Sequence, residues 1–400
     1  LWLGLGCVLF LLILAFTSFG KIKLGGSKPE YNTLSWIAML YSAGMGAGIL
    51  LRAVQEPVFM QQHPPISTND SAEVVALEYT FYQWGFTAWA FYVFFALVIG
   101  YYLFVRKKSI LLSNTFPQFE GSKLIKGADL LTILTTVIGI VAAISLGTEQ
   151  IEGGLTYLLE TEDDYAFAYL FTFIIFLFGF ISAYRGIHKG IQKISNWNIA
   201  LTFLLLLFIF LQNDMLQILK NFGIATYRYI IDFLPLSLAL GDYNPGKQFL
   251  TDWTLYYWAF WLAWAPFTGI FIARISKGRS IRQMILGAIF IPSLGSFFWF
   301  SVFGTSSFQL IEQMSSYQGE FDNVFTSIFV FLKAYPLATS TSILTIVLLV
   351  GFLITSVDSA IYVLSMFTDK GKQNQKKTHR LIWAILMFIF TEAILLLGSF

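Results

Sequence analysis

Tryptophan and tyrosine are concentrated in two short stretches of the chain, where their ring faces offer a site for a cation. In "YQWGFTAWAFY", Trp84, Trp89 and Tyr92 fall within roughly a 140° arc if the stretch forms one helix. In "DWTLYYWAFWLAWAPFTG", three tryptophans stand three residues apart, ahead of a proline: Trp258, Trp261 and Trp264. A quaternary ammonium has no N–H to donate, so ring faces are the groups that hold it. The stretches favour such a site, although single aromatic residues also mark membrane interfaces.

A third stretch, "YSAGMGAGILLRAVQEP", has glycine at every second position, at Gly44, Gly46 and Gly48. Glycine destabilises a helix by about 1 kcal/mol relative to alanine. Inside a bilayer, backbone leaves the helix only where protein or a water-filled cavity satisfies its polar groups. The glycines therefore indicate either unwound backbone beside a ligand or close packing of helices through small residues. Their spacing alone is compatible with both.

The same stretch places an arginine, Arg52, inside an apolar segment, where a charge is costly and is a functional candidate. Three interpretations are open. Arg52 pairs with Glu56 one helical turn on, as a structural or gating bridge, which we prefer. Alternatively, it meets an anionic group of a solute entering from outside, or its side chain reaches the outer interface.

The composition defines the protein class. Of 400 residues, 56% are hydrophobic and 12% charged, against about 25% charged in soluble domains. Ten apolar segments approach or exceed the roughly 20 residues that span a bilayer: 1–18, 34–56, 84–105, 128–149, 165–184, 196–213, 250–274, 283–308, 338–367 and 381–400. One cysteine and three distant histidines exclude a disulfide framework and a Cys-based metal site. The sequence predicts an all-α polytopic membrane protein.

Basic residues set the expected orientation. Most of the 25 Lys and Arg residues fall in alternate loops, which the positive-inside rule assigns to the cytoplasm. The first segment then runs from outside to inside.

Between the sixth and seventh segments, residues 213–236 mix apolar residues and charges at helical spacing. This pattern predicts an amphipathic helix on the membrane surface or an ordinary loop helix.

These stretches, together with "WFSVFGTSS" and "FLITSVDSA", resemble the betaine/choline/carnitine transporter (BCCT) family over nearly the whole chain. The resemblance implies a LeuT-like 5+5 inverted-repeat fold, as a fragment lacking the first and last of twelve transmembrane helices. It implies four parts: 1–33, a peripheral transmembrane helix and cytoplasmic loop; 34–213, the first repeat; 214–249, the amphipathic helix and a loop; and 250–400, an incomplete second repeat. The leading helix of each repeat is expected to be interrupted, at Gly44–Gly48 and at Ala265–Gly269.

The resemblance also implies the site residues. The cation box falls on Trp84, Trp89, Tyr92 and Trp261, with Trp264 beside it or on the exit route, and the backbone of Gly44, Met45 and Gly46 faces the substrate and its carboxylate. One sodium site falls on Ser42, Met45, Phe352, Thr355 and Ser356. A second would use Thr136, but Ile140 stands where the family has its partner threonine, and isoleucine cannot coordinate sodium.

The function implied is secondary active import of a glycine betaine-like quaternary-ammonium solute, coupled to Na⁺ by alternating access, in the bacterial inner membrane. No cofactor, enzyme activity or nucleic-acid partner is expected. The resemblance also implies that the protein forms homotrimers. Proton-coupled choline uptake and sodium-independent carnitine/betaine exchange remain alternatives. A channel or receptor is disfavoured because the segments offer few polar stripes to line a pore.

Overall fold

The computed structural model describes residues 1–26, 28–44, 46–109, 111, 113, 123–161, 166–185, 188–372 and 375–397. Its helices are α1 Trp2–Phe16, α2 Thr33–Gly44, α3 Ala47–Leu51, α4 Gln55–Gln62, α5 Ala72–Trp84, α6 Phe86–Gly100, α7 Lys123–Leu159, α8 Ala166–Arg185, α9 His188–Gln212, α10 Met215–Ile231, α11 Phe233–Leu238, α12 Lys247–Phe249, α13 Tyr256–Ile275, α14 Ile281–Gln313, α15 Ser327–Lys333, α16 Ala338–Thr368 and α17 Lys377–Leu397. A π-helical turn, Leu250–Leu255, leads into α13. Among the described residues no strand forms, and two segments pair only through an isolated bridge.

Eight helical spans in the described part of the chain are long and apolar enough to cross a membrane. They correspond to the predicted segments from 84–105 onward, although that span begins earlier, at Ala72. The first predicted segment forms the shorter apolar helix α1, and the second is divided among α2, α3 and α4. The prediction of an all-α polytopic membrane protein is confirmed.

Two helix breaks occur at glycines. Between α2 and α3, Gly46 is extended, with φ −103° and ψ −173°. Between α5 and α6, Gly85 has φ −97° and ψ −137°. A Cβ at Gly85 would lie 2.5 Å from the Phe81 carbonyl oxygen and 2.6 Å from the Tyr229 hydroxyl. Only glycine fits there, so the single helix assumed for Trp84 to Tyr92 is broken immediately after Trp84.

The predicted interruption at Ala265–Gly269 is wrong, because α13 continues through Pro266. Proline removes one intrahelical hydrogen bond, which a membrane helix packed inside a bundle tolerates. Gly269 serves close packing instead. A Cβ there would lie 2.6 Å from Phe95 Cβ and 2.9 Å from the Ala96 nitrogen, so its absence lets α13 lie against α6.

The predicted helix between the sixth and seventh segments is α10. Asp214 caps its N-terminus by accepting hydrogen bonds from the Leu216 and Gln217 amides. One face is buried, including Ile218, Asn221, Ala225 and Tyr229. The other exposes apolar side chains, among them Leu216, Tyr227 and Ile230. A helix thus forms within the predicted segment, and its position on a membrane surface stays a prediction.

A cytoplasmic clamp, defined here as residues 22–24, Trp36 and residues 276–281, joins the start of α2 to the α13–α14 loop. The Leu24 amide donates to the Arg279 carbonyl at 2.9 Å, and the Ile281 amide donates to the Ile22 carbonyl at 2.9 Å. The Arg279 guanidinium lies over the Trp36 ring, 4.1 Å from its centroid. The orientation predicted from basic residues places these contacts on the cytoplasmic side.

Tyr229 links α10 to the break at Gly85. Its buried hydroxyl accepts a hydrogen bond from the Phe86 amide at 2.9 Å, one of the amides at the start of α6 that no intrahelical carbonyl can satisfy.

We expect Tyr229→Phe to lower the free energy of unfolding by about 1–3 kcal/mol, because it leaves a buried amide without a partner. Thermal unfolding of the detergent-solubilised protein measures the change. Tyr227→Phe, on the exposed face of α10, is the control and should match the wild type; equal stability of both variants would contradict the capping role.

Candidate functional site

A cavity of about 200 Å³ lies among α3, α6, α7, α13 and α16. Its walls are mainly aromatic and aliphatic, with a few hydroxyls from serine and threonine. All five predicted aromatic residues line it: Trp84, Trp89, Tyr92, Trp261 and Trp264. They come from three helices, α5, α6 and α13, so the fold brings together the two stretches that the sequence analysis selected.

The aromatic rings are held mainly edge to face. The centroids of Trp84 and Trp261 lie 5.0 Å apart with planes at 70°. Tyr92 meets Trp261 at 6.1 Å and 89°, and Trp89 meets Tyr92 at 5.4 Å and 89°. Each such pair contributes about 0.5–1.5 kcal/mol beyond its buried area. These residues form the aromatic cage, a name we keep for Trp84, Trp89, Tyr92 and Trp261.

The indole N–H groups of three cavity residues are bonded to protein atoms. Trp261 Nε1 donates to the Gln83 carbonyl at 2.9 Å, and Trp264 Nε1 donates to the Gly139 carbonyl at 3.1 Å. Trp84 Nε1 donates to a Glu56 oxygen at 3.1 Å. With these donors occupied, the rings offer the cavity apolar and π-electron surface, which suits a cation that cannot form hydrogen bonds.

The break at Gly85 explains why Gln83 is available. The last carbonyls of a helix lack intrahelical partners, and α5 ends at Trp84. The Gln83 carbonyl therefore accepts from Trp261 and ties α13 to the end of α5. The same break separates Trp84 from Trp89, so the two rings need not follow the periodicity of one continuous helix.

Glu56 is a fully buried carboxylate beside the cage. It accepts hydrogen bonds from Trp84 Nε1 and from the Tyr257 hydroxyl. Buried carboxylates are strongly disfavoured unless hydrogen-bonded, so these two donors account for its presence. Tyr257 lines the cavity but was not among the predicted site residues. Its position four residues before Trp261, on the same face of a helix, was the available signal.

The preferred interpretation, that Arg52 pairs with Glu56, is not confirmed as a direct ion pair: the two groups attract each other only at longer range. Among the ion pairs of the described residues, with a 4.0 Å limit between nitrogen and oxygen, none joins these two. Arg52 donates instead to Gln55 Oε1 at 2.7 Å, and its guanidinium lies 5.5 Å from the Trp253 ring centroid. Arg52 also lines the cavity.

Trp258, the third tryptophan of the α13 stretch, lies outside the cavity lining. Its ring meets Tyr82 at 5.2 Å, and a Cβ at Gly4 of α1 would lie 2.7 Å from its Nε1. A spacing of three residues turns a helix by about 300°, so successive tryptophans drift around its surface. Trp258 therefore packs between helices, whereas Trp261 and Trp264 line the cavity.

The glycine stretch meets the cavity through its described residues. Gly46 lines it, and a Cβ there would meet no heavy atom within 4 Å. Gly48 also lines it, and a Cβ there would lie 3.3 Å from Trp84. Gly44 ends α2, whereas Met45 and the side chain of Ser42 lie outside the described part of the chain.

Residues of the predicted sodium site on α16 lie on the cavity wall: Phe352, Thr355 and Ser356. The Thr355 hydroxyl donates to the Phe352 carbonyl at 2.9 Å, and α3 packs against α16. Thr136 is buried in α7, donates to the Thr132 carbonyl at 2.7 Å, and is not in the cavity lining. Ile140 is buried without an oxygen to offer. The ion sites themselves stay predictions.

Comparison with known proteins identifies the family. Residues 1–400 match the model of the betaine/carnitine/choline family transporters, BCCT. The chain is 37% identical over 403 residues to the glycine betaine transporter OpuD of Bacillus subtilis, covering 98% of this chain and 78% of that protein. It is 33% identical to the ectoine/hydroxyectoine transporter of Virgibacillus pantothenticus, covering 98% and 80%. It is 31% identical to the high-affinity choline transport protein of Escherichia coli K12, covering 97% and 59%.

The match extends over the whole chain, and the eight apolar spans agree with a multi-pass protein of the kind found in the bacterial plasma membrane. The cavity with its aromatic cage lies inside this matched region. The chain therefore belongs to the BCCT family, and it is an integral membrane transporter, not an enzyme.

Proposed function

We propose that this transporter imports a glycine betaine-like quaternary-ammonium solute, coupled to sodium, by alternating access. One observation carries the proposal: the predicted aromatic residues converge on a single cavity, with three indole N–H groups bonded to protein atoms. Such a cage binds a methylated ammonium through ring faces and apolar contact. Each desolvated cation–π contact contributes up to about 2 kcal/mol.

The relatives' names mention three different solutes, glycine betaine, ectoine and choline. The substrate proposed for this chain therefore rests on its own site. The cage accounts for the cationic end of the solute. For the carboxylate end we propose the backbone around Gly44, Met45 and Gly46, since exposed backbone at a helix break is a means of binding anionic groups in transporters. The open space beside Gly46 supports this assignment.

For the coupling ion we propose a sodium site formed by Ser42, Met45, Phe352, Thr355 and Ser356. Hydroxyl and carbonyl oxygens are hard ligands that suit Na⁺, the three α16 residues lie on the cavity wall, and α3, which follows the helix break, packs against α16. Thr136 would serve a second site, which the Ile140 side chain leaves without its second hydroxyl. One sodium moving down 100 mV supplies about 2.3 kcal/mol.

For the architecture we propose the LeuT-like 5+5 inverted repeat, with its first repeat at 34–213 and an incomplete second one at 250–400. Residues 1–33 are then peripheral, and 214–249 connect the repeats along the membrane surface. The break at Gly46 supports the first leading helix. The apolar exposed face of α10 supports a role as a membrane-surface or trimer contact.

Proton-coupled choline uptake is the second candidate, favoured by Asp358. This carboxyl group is buried in α16, and its Oδ1 has no hydrogen-bond partner among the described residues. A buried carboxyl inside a membrane helix is a candidate proton carrier. Sodium-independent carnitine or betaine exchange is the remaining alternative, and the ion gradients of the first experiment below separate all three.

The first experiment measures radiolabelled glycine betaine uptake by the full-length protein in proteoliposomes, under an inward sodium gradient or an equal potassium gradient. We expect uptake with sodium only. We also expect Thr355→Ala to raise the sodium concentration for half-maximal uptake at least tenfold, because it removes a hydroxyl ligand. Thr345→Ala is the control, since this buried α16 threonine bonds the Thr341 carbonyl and is not in the cavity lining. Equal uptake in both gradients would refute sodium coupling, and choline uptake driven by a proton gradient would favour the second candidate.

The cage is tested with two tryptophans of α13. We expect Trp261→Leu to weaken glycine betaine binding about 10- to 30-fold, because it removes a cation–π contact of up to about 2 kcal/mol. Trp258→Leu is the control, because Trp258 packs outside the cavity. Tryptophan fluorescence titration measures both dissociation constants. If the two variants bind equally well, the cage assignment is wrong.

The helix break is tested at Gly46. Because a new side chain there meets open cavity instead of packed atoms, we expect Gly46→Leu to reduce uptake at least tenfold while the melting temperature stays within about 2 °C of wild type. Gly223→Leu, at an exposed and equally open position of α10, controls for the added side chain. Normal uptake by Gly46→Leu would show that solute does not approach this backbone.

A further inference from the structure

We propose that Arg52 is a specificity-determining residue that selects solutes carrying an anionic group and disfavours solutes that carry only positive charge. This inference rests on the proposed function, because it assumes that the aromatic cage holds the ammonium group. It narrows the substrate class to zwitterions such as betaines and excludes choline-like cations as preferred substrates.

Arg52 closely follows the cavity-lining glycine Gly48 along the chain. The Arg52 amide donates to the Gly48 carbonyl at 3.1 Å, so Arg52 stands one helical turn, about 5.4 Å, from Gly48. Gly48 itself faces the Trp84 ring. Arg52 and the cage residues line the same cavity. The guanidinium and the cage therefore belong to one cavity, with the guanidinium in the part lined by Tyr256 and Tyr257.

The hydrogen-bond partners of Arg52 leave some of its N–H donors unused. Its hydrogen-bond and ring partners are neutral, namely Gln55 at 2.7 Å, the Trp253 ring at 5.5 Å and the Tyr256 hydroxyl, while the Glu56 carboxylate acts on it at longer range. The nearby carboxylate, Glu56, already accepts from Trp84 and Tyr257. Among the ion pairs of the described residues, none includes Arg52. A guanidinium has five N–H donors, so this one retains donors for a further acceptor.

The chemistry of the acceptor follows from these neighbours. A guanidinium binds a carboxylate with two parallel hydrogen bonds, among the strongest polar contacts in proteins. A zwitterion with its ammonium in the cage turns its carboxylate toward α3, whose N-cap is Gly46 and whose C-cap is Arg52, so the guanidinium adds to the backbone groups proposed above. A solute with a hydroxyl in place of the carboxylate gains much less from Arg52, and its ammonium experiences repulsion from the nearby positive charge.

The test compares glycine betaine and choline binding to the full-length protein in proteoliposomes at fixed sodium. We expect Arg52→Gln to weaken betaine binding about 10- to 100-fold, as lost hydrogen bonds to a charged group imply, while choline binding is unchanged or tighter. Arg52→Lys should keep part of the preference. Lys247→Gln, which removes an exposed cation near the start of α13, should bind both solutes as the wild type does.

A second variant leaves the guanidinium in place. Gln55→Glu puts a carboxylate at the position that now bonds Arg52 at 2.7 Å, and the resulting pair should lower betaine affinity at least tenfold without lowering choline affinity. Equal loss of both solutes in Arg52→Gln and in Gln55→Glu would indicate a structural role and overturn the inference. Unchanged betaine binding in Arg52→Gln would also overturn it and leave the proposed function intact. If the wild-type protein binds neither solute, the proposed function fails, and this inference fails with it.

Discussion

Backbone polar groups inside a bilayer have to be satisfied by protein or by trapped water, and the site depends on how this chain meets that requirement at Gly85. The break there frees the Gln83 carbonyl and the Phe86 amide. Trp261 donates to the first and Tyr229 accepts from the second. One interruption thus fixes a cage residue on α13 and attaches the surface helix α10. The rings are positioned by the same bonds that make the break tolerable.

Glu56 extends this arrangement to α4. A buried carboxylate without partners would be strongly unfavourable, but here Trp84 and Tyr257 both donate to it. These residues belong to α5 and α13, so the carboxylate links the two aromatic stretches through their polar atoms while their rings remain in the cavity. Arg52 bonds the neutral Gln55 instead and interacts with Glu56 only at longer range. The electrostatic character of the site follows from that distribution of partners.

The sequence predicted what depends on composition and residue type. The long apolar runs indicated the membrane helices, and the clustered indoles indicated the cage, because ring chemistry is visible without coordinates. The break at Gly85 was missed because an isolated glycine in a helical pattern is usually tolerated. The assumed break at Pro266 failed because packing against α6 retains a helix that local propensity alone would interrupt. The partners of Arg52 and Glu56 depend on rotamers and on distant residues such as Trp253 and Tyr257, which spacing along the chain does not encode.

The helix α13 is held at two levels, by the cytoplasmic clamp at one end and by packing beside the cavity. At the cytoplasmic end, Arg279 over Trp36 and the backbone bonds of residues 22–24 tie α2 to the loop after α13. At the level of the cavity, Gly46 is extended and a side chain there would meet no neighbour. The clamp is held mainly by polar contacts, in which each hydrogen bond is worth about 1 kcal/mol net, whereas the packing of α13 on α6 at Gly269 is tight and apolar. The helix α13 is thus tied to α2 by polar contacts at one end and joined to α6 by close apolar packing beside the cavity.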